Sequence, residues 1–108
     1  MVMEKERRSA PRARVNLPAR WQGTLSRENA TITDLSRNGC FVLTGGKVEV
    51  KELVWLEISL PNQQPVTLWA EVVNEAPEIG FAVRFNAGSP EDEAALAKYL
   101  EGVFRGKT

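Results

Sequence analysis

Hydrophobic and polar residues alternate along most of the chain, with the period of two that is typical of half-buried β-strands. In VNLPARW, residues 15–21, apolar residues occupy every second position. Pro18 has no backbone N–H to donate to a neighbouring strand, so this strand is predicted to lie at a sheet edge or to carry a bulge. Further strands are predicted, between turn-forming residues, at 30–35, 40–44, 53–60, 66–74 and 80–85. Short strands at this spacing predict an all-β fold, a six-stranded antiparallel β-barrel.

The hydrophobic period changes near the C-terminus to that of a helix. Ser89 is predicted to cap this helix, and Pro90 suits its first position. The acidic residues 91–93 fall in the first turn, where the helix dipole favours negative charge. An apolar stripe that can pack against the barrel follows at positions 96, 100, 103 and 104.

These patterns divide the chain into three parts. Residues 1–14 are predicted to be a flexible basic N-terminal arm, residues 15–88 the barrel, and residues 89–104 a helix packed on the barrel. A chain of 108 residues has room for one such domain and for no second catalytic lobe.

The residue inventory argues against catalysis. The chain has no histidine, which excludes histidine general bases, Ser-His-Asp triads and the usual zinc hydrolase sites. Cys40 is the only cysteine and lies in a predicted strand without a base beside it. The sequence contains no glycine-rich phosphate loop, and nothing accompanies the acids of the helix to hold a metal. We therefore expect a binding protein without metal or cofactor, and no enzyme.

Cysteine usage and hydropathy indicate a compartment. A single cysteine cannot form an internal disulfide, which fits a reducing environment. The N-terminus lacks the apolar stretch of a secretory signal, and no run approaches the roughly 18 apolar residues that span a bilayer. We expect a soluble, unprocessed, cytoplasmic protein that does not insert into membranes.

Positive charge is concentrated in the arm. The chain is neutral overall, with a sequence pI of about 6.3. Its first twenty residues hold six basic and two acidic side chains, whereas the rest holds eight basic and twelve acidic ones. RRSAPRAR, residues 7–14, carries four of the arginines. Long nucleic acids usually bind a basic face or domain, so this local charge favours a small anion. The alternative is a frayed basic tail without a role.

The segment DLSRNG, residues 34–39, has two interpretations. As a turn, it uses Gly39 for a positive φ and the side-chain oxygens of Asp34 and Ser36 to accept hydrogen bonds from nearby backbone N–H groups. As a binding loop, it offers a carboxylate to the N1–H and N2–H₂ edge of guanine, while arginines address guanine O6 and N7 or grip phosphate. Guanine with phosphate is the ligand chemistry that would use both the loop and the arm.

Together the two segments resemble a known family. Arg8 to Arg12 has the form RxxxR, Asp34 to Gly39 has the form DxSxxG, and roughly twenty residues with a first strand separate them. This order and spacing look like a PilZ domain, and GFAVRF at 80–85 resembles the strand that closes the PilZ barrel. The resemblance covers about residues 5–104. It implies a barrel with a C-terminal helix that acts as a stand-alone receptor for the bacterial second messenger cyclic di-GMP.

The resemblance also implies roles for individual residues. Arg8 and Arg12 match the arginines that wrap the phosphates and guanines of the ligand. Asp34, Ser36 and Gly39 match the loop that reads guanine.

The arm has a further position with an implied role. Arg7 matches the residue just before RxxxR, where an arginine is associated in the family with binding a stacked, intercalated dimer of cyclic di-GMP. Like charges in the arm repel and few apolar residues anchor it, so we expect the arm to be mobile without ligand and ordered with it.

Trp69 is another candidate ligand contact. On its predicted strand it alternates with apolar residues and falls among polar ones, so it can stack on a guanine, cover the C-terminal helix or meet a partner. Some PilZ proteins are similar in having an aromatic residue on this strand, although Ala70 stands where a glycine is frequent. Trp21 and Trp55 are predicted to be packing residues, and Arg84 to lie on a solvated face.

The family resemblance implies a sensor without catalysis. We expect cyclic di-GMP to fold the arm over the barrel rim, and the altered surface to engage or release an unidentified effector protein. Motility, surface polysaccharide or biofilm control is expected by family analogy. One alternative is an adaptor of the same fold that binds proteins and no nucleotide, which the complete RxxxR and DxSxxG set argues against. A small barrel that binds single-stranded RNA or DNA is the other, which the acidic body argues against.

Overall fold

Six antiparallel strands close into a barrel, and one helix follows them. The structure is a computed structural model that describes residues 11–106. Its elements are β1 (Ala13–Gln22), β2 (Arg27–Leu35), β3 (Gly39–Leu43), β4 (Leu53–Ile58), β5 (Val66–Ala76), β6 (Gly80–Gly88) and α1 (Pro90–Gly106). Neighbouring strands pair in the order β1-β2-β3-β6-β5-β4, and β4 pairs with β1 to close the barrel. The predicted six-stranded barrel with a C-terminal helix is confirmed.

The element boundaries differ from the prediction at both ends of the barrel. β1 begins at Ala13, which is buried and pairs with Leu35 of β2, so the predicted arm of 1–14 extends two residues too far. The helix spans Pro90–Gly106 instead of 89–104, because Ser89 lies outside it as the cap. The Ser89 hydroxyl oxygen accepts a hydrogen bond from a first-turn backbone N–H at 3.0 Å. Residues 1–10 of the predicted flexible arm lie outside the described residues.

β1 carries a bulge just before its proline. The register with β2 shifts between Arg14 and Leu17, directly before Pro18. The strand is paired on both sides, so the prediction of a bulge is confirmed and that of a sheet edge is wrong. The Pro18 carbonyl oxygen accepts a hydrogen bond from the Ser59 N–H at 2.9 Å, just beyond the last ladder pair of β1 with β4. Pro18, which has no backbone N–H to donate, is therefore placed where the hydrogen-bond ladder between β1 and β4 ends.

The inward faces of all six strands supply the core, as the alternation predicts. Trp21 is buried and lies edge-on against Phe81, with ring centroids 5.0 Å apart. Its indole N–H donates to the Thr44 hydroxyl at 3.0 Å, so the largest core side chain leaves no unpaired polar group. The prediction that Trp21 packs in the core is confirmed.

α1 covers one end of this core. Leu96 and Leu100 are its buried residues and belong to the same hydrophobic cluster as the barrel interior. The Asp92 carboxylate accepts hydrogen bonds from both the N–H and the hydroxyl of Thr67, at 3.2 and 3.1 Å, which ties the first turn of α1 to β5. Over residues 11–106 no helix combines the length and the hydropathy needed to cross a membrane.

Candidate ligand-binding site

The loop between β2 and β3 is organised by Ser36. This side chain is buried, and its hydroxyl oxygen accepts hydrogen bonds from the Asn38 N–H at 3.1 Å and the Gly39 N–H at 3.2 Å. The Ser36 N–H donates to the Gly39 carbonyl oxygen at 2.9 Å, and the Phe85 N–H on β6 donates to the Asn38 carbonyl oxygen at 2.7 Å. The turn interpretation of Ser36 is confirmed, because its hydroxyl shapes the loop from within.

Gly39 serves the loop for a reason other than the predicted one. In the described part of the chain Gly80 is the glycine with a positive φ, so a positive φ at Gly39 is wrong. A Cβ atom on Gly39 would instead overlap the carbonyl oxygen of Val83 on β6. The absence of a side chain therefore lets β6 approach β3 where the loop ends.

Asp34 takes no part in the hydrogen bonds of the turn. Its carboxylate accepts a hydrogen bond from the Arg12 guanidinium at 3.0 Å, and no backbone N–H within residues 11–106 donates to it. The side chains of Arg12 and Asp34 are 73% and 33% exposed, respectively. A pair so open to solvent contributes at most about 1 kcal/mol to folding. The predicted turn role of Asp34 is wrong, and its carboxylate is accessible to an incoming donor.

A cleft of about 620 Å³ lies beside this loop. Arg37 and Asn38 form its loop side, β6 its floor and α1 its far side, where Leu96 lines it. Pro11, the first described residue of the arm, also lines the cleft. Small-molecule sites usually have volumes of roughly 300 to 1,000 Å³, so the cleft is of suitable size for a nucleotide-sized ligand. The arm thus enters the barrel next to both the cleft and the loop.

Arg84 lies on a solvated face, as predicted, and from there it also lines the cleft. It lies outward and its side chain is 63% exposed, but its guanidinium donates to the Glu71 carboxylate of β5 at 2.7 Å. In the sheet, Arg84 is the strand partner of Gly39. The register therefore places a cation directly opposite the last residue of DLSRNG.

Two tryptophans form an exposed pair on the outer face of β4 and β5. Trp69 is 46% exposed, and its ring lies 5.2 Å from that of Trp55, centroid to centroid, in an edge-on arrangement. Trp55 is itself 37% exposed, so the packing predicted for it is against Trp69 on the surface and not in the core. Trp69 does not line the cleft, but Ala87, its strand partner on β6, does. Leu68, its chain neighbour on β5, lines the cleft as well, so Trp69 lies beside the cleft.

The thiol of Cys40 is buried and unreactive. Burial, with a smaller contribution from the nearby charge of Asp34, raises the pKa of the Cys40 thiol far above its ordinary value. The thiol stays protonated at physiological pH, and a buried thiol is a poor nucleophile. Among the residues that the structure describes, no three histidine, cysteine, aspartate or glutamate side chains lie close enough to hold a metal ion.

The structure brings together the predicted site residues of both motifs that fall within the described chain, namely Arg12, Asp34, Ser36 and Gly39. Trp69 lies across β6 from them, and Arg7 and Arg8 lie outside the described residues. Sequence reasoning missed the Arg84 and Glu71 pair at the cleft. Alternation indicates that both face outward, but the register that joins them is a property of the sheet.

The family model of the PilZ domain matches residues 6–102, a range that contains both motifs. The chain belongs to the PilZ domain family. A comparison with curated protein sequences gives no match.

Solved structures share the fold of this PilZ domain at low sequence identity. The inhibitor of motility MotI/DgrA from Bacillus subtilis has a TM-score of 0.72 and 20% identity, over 85% of this chain and 48% of its own. YcgR from Escherichia coli, solved in complex with c-di-GMP, has a TM-score of 0.73 and 19% identity, over 94% and 47%. The PilZ domain of CeSA from a cellulose synthesizing bacterium has a TM-score of 0.63 and 16% identity, over 90% and 98%. This PilZ domain thus spans about half the length of the first two proteins and nearly all of the third domain.

Proposed function

We propose that this PilZ domain is a receptor for cyclic di-GMP and has no catalytic role. The proposal depends most on the exposed Arg12–Asp34 pair, which joins the second arginine of RxxxR to the carboxylate of DxSxxG at 3.0 Å. This pair lies by a cleft that the arm enters at Pro11. The similar fold of YcgR, solved in complex with c-di-GMP, supports the choice of ligand.

In this proposal Asp34 selects guanine. An ionised carboxylate can accept hydrogen bonds from guanine N1–H and N2–H₂ together, whereas adenine has no matching pair of donors. The exposed Arg12 side chain is free to turn from Asp34 toward a phosphate oxygen or toward guanine O6 and N7 as the base arrives. Ligand binding then replaces the single Arg12–Asp34 hydrogen bond with several charge-assisted hydrogen bonds to the ligand.

Other residues complete the proposed site. Ser36 and Gly39 hold the loop in shape and close to β6, which presents Asp34 outward. Trp69 offers an exposed indole beside the cleft, where a second base of the ligand can stack.

We further propose that Arg7 and Arg8 close over the ligand from the arm, and that Arg7 makes the ligand a stacked dimer. The arm then orders over the barrel rim and changes the surface offered to an effector protein. The structural likeness to an inhibitor of motility supports a role in motility, and polysaccharide or biofilm control is a further candidate process. We propose a cytoplasmic location for this exchange.

Titration calorimetry of the full 108-residue chain with cyclic di-GMP tests the proposal. Asp34→Ala is expected to weaken binding at least about 100-fold, because hydrogen bonds to a charged group each contribute about 1.5 to 3 kcal/mol. The matched control is Glu57→Ala, which removes another outward carboxylate paired with an arginine, Arg20, at 3.4 Å. The control is expected to bind as the wild type does, and both variants to unfold near the wild-type temperature.

Several outcomes would contradict the proposal. If the wild type gives no heat with cyclic di-GMP at high micromolar concentration, the receptor function is wrong and the adaptor is favoured. Binding of a short oligonucleotide in place of cyclic di-GMP would favour the single-stranded nucleic-acid binder. A stoichiometry of one ligand per chain, where the stacked dimer requires two, would reject the role proposed for Arg7.

A further inference from the structure

Arg84 is a cation of the cleft that belongs to neither motif. In the sheet it pairs with Gly39 of β3 on one side and with Glu71 of β5 on the other. It lines the cleft together with Arg37 and Asn38 of the loop. Two arginines from different parts of the chain therefore meet the same cleft.

Glu71 engages the Arg84 guanidinium from one side only. One terminal nitrogen of Arg84 donates to one carboxylate oxygen of Glu71 at 2.7 Å. A guanidinium carries five N–H donors in a rigid plane, so further donors remain for a second anion. The Arg84 side chain is 63% exposed and that of Glu71 is 24% exposed, so Glu71 is the better-anchored partner. Glu71 thus limits the orientations that the Arg84 guanidinium can adopt.

A second cross-strand pair shows what is particular to Arg84. Arg20 of β1 and Glu57 of β4 face each other in register, 3.4 Å apart, with side chains 70% and 30% exposed. The two pairs are alike in chemistry and exposure, but Arg84 lies at the cleft beside DxSxxG and Arg20 does not. Arg20 is therefore a control for any general effect of removing a surface arginine.

We propose that Arg84 binds a phosphodiester of cyclic di-GMP and that Glu71 is its positioning residue. This inference rests on the proposed receptor function. β3 alone separates β2 from β6, a lateral distance of about 10 Å. Asp34 pairs with Phe41 and Arg84 with Gly39, two residues away on β3, so the backbones of Asp34 and Arg84 lie roughly 12 Å apart. A guanosine nucleotide extends over a distance of that order from its base edge to its phosphate. Guanine on Asp34 therefore places the phosphate within reach of Arg84.

The charges around the cleft fit this assignment. Arg37 forms no ion pair with any residue that the structure describes and adds a second positive charge on the loop side. Glu93 lines the cleft from α1 and repels an anion from that side. A phosphodiester is therefore favoured against the loop and β6, where Arg84 presents its remaining donors.

The test is calorimetry with cyclic di-GMP on the full chain at low and high sodium chloride. Arg84→Ala is expected to weaken binding about 10- to 100-fold and to flatten the salt dependence, because one charged contact is lost. Arg84→Lys keeps the charge without the fork and is expected to recover part of the affinity and most of the salt dependence. Arg20→Ala is expected to stay within about twofold of the wild type, with its full salt dependence.

Phosphorus NMR of the saturated complexes identifies the ligand group. The phosphorus resonance of bound cyclic di-GMP is expected to shift in the wild type and in Arg20→Ala, and to move back toward its free position in Arg84→Ala. Glu71→Gln is expected to weaken binding about threefold, and to have no further effect in the Arg84→Ala background, as a positioning residue requires.

The outcomes separate this inference from the receptor function itself. If the wild type binds, Asp34→Ala does not, and Arg84→Ala equals Arg20→Ala in affinity and salt dependence, the role of Arg84 is wrong while the receptor stands. If Arg84→Ala loses affinity but leaves the phosphorus shift and salt dependence unchanged, the phosphodiester contact is wrong. If the wild type binds no cyclic di-GMP, both proposals fail.

Discussion

Two surfaces on the outside of the same barrel differ in how they are built. The loop surface consists of Arg12, Asp34, Ser36, Gly39 and Arg84, and the tryptophan surface of Leu53, Trp55 and Trp69. The first is held by directed hydrogen bonds and carries exposed charges that the fold does not need. The second exposes apolar side chains whose only described ring contact is with each other. The difference indicates that the loop surface can make directed, charged contacts, whereas the tryptophan surface offers undirected apolar contact area.

The largest effect is expected from a substitution that prevents the close approach of β6 to β3, which supports the loop surface. Gly39→Ala is expected to lower the free energy of unfolding by about 2 to 3 kcal/mol, since the added Cβ overlaps the β6 backbone, and the melting temperature by about 15 °C. Thermal unfolding followed by circular dichroism measures the loss. Gly45→Ala is the control, because nothing lies within 4 Å of a Cβ there. Equal melting temperatures for the two variants would show that β6 yields to the methyl group.

An intermediate effect is expected from the hydroxyl that orders the loop. Ser36→Ala leaves the Asn38 and Gly39 N–H groups without their acceptor, which costs about 1 to 2 kcal/mol in unfolding free energy. Affinity for cyclic di-GMP is expected to fall about tenfold, since Asp34 is less firmly presented. Ser26→Ala removes a comparable acceptor, for the Lys47 N–H at 3.1 Å, from the turn at the other end of β2. If Ser26→Ala weakens binding as much, the loop geometry is not the cause.

The smallest effect is expected from a substitution that tests whether the tryptophan surface also contacts the ligand. Trp69→Ala is expected to cost about 1 kcal/mol of unfolding free energy through the lost ring contact, and to weaken cyclic di-GMP binding about three- to tenfold through lost base stacking. Trp55→Ala loses the same ring contact but lies one strand further from the cleft, so it is expected to bind as the wild type does. Equal affinities of the two variants in calorimetry would restrict the ligand to the loop surface.

Local patterns were sufficient for most of the fold. The alternation through β1 and the turn chemistry of DLSRNG and of Ser89 act between residues close in the chain, so strands, loop and helix cap can be predicted from them. The alternation held a signal for Trp55 that the prediction did not use, because residues 54, 56, 58 and 60 form a wholly apolar face and Trp55 falls on the other face with Glu57 and Ser59. Closure of the barrel buried Val54 and Leu56 and left Trp55 outside.

The candidate site was predictable only where its residues lie in motifs. Asp34 and Arg12 were identified from RxxxR and DxSxxG, although their 3.0 Å contact depends on how β1 and β2 pair. Arg84 and Glu71 could not be paired in advance, because β5 carries register shifts on both sides of Glu71, between Trp69 and Ala70 and between Val72 and Asn74. A one-residue change in register would reverse the faces of neighbouring side chains, and short-range patterns do not specify it.

By itself, then, the sequence determined the six strands, the capped helix, the basic arm and the two motifs of a PilZ domain, since period, turn chemistry and charge are properties of neighbours along the chain. The tertiary structure alone decided three further points. Gly39 is required because β6 packs too close for a side chain, and not because of its φ angle. The Asp34 carboxylate pairs with Arg12 and takes no part in the turn, and Arg84 lies opposite Gly39 in the sheet. All three depend on how closely and in which register distant strands meet, and only closure of the barrel determines that.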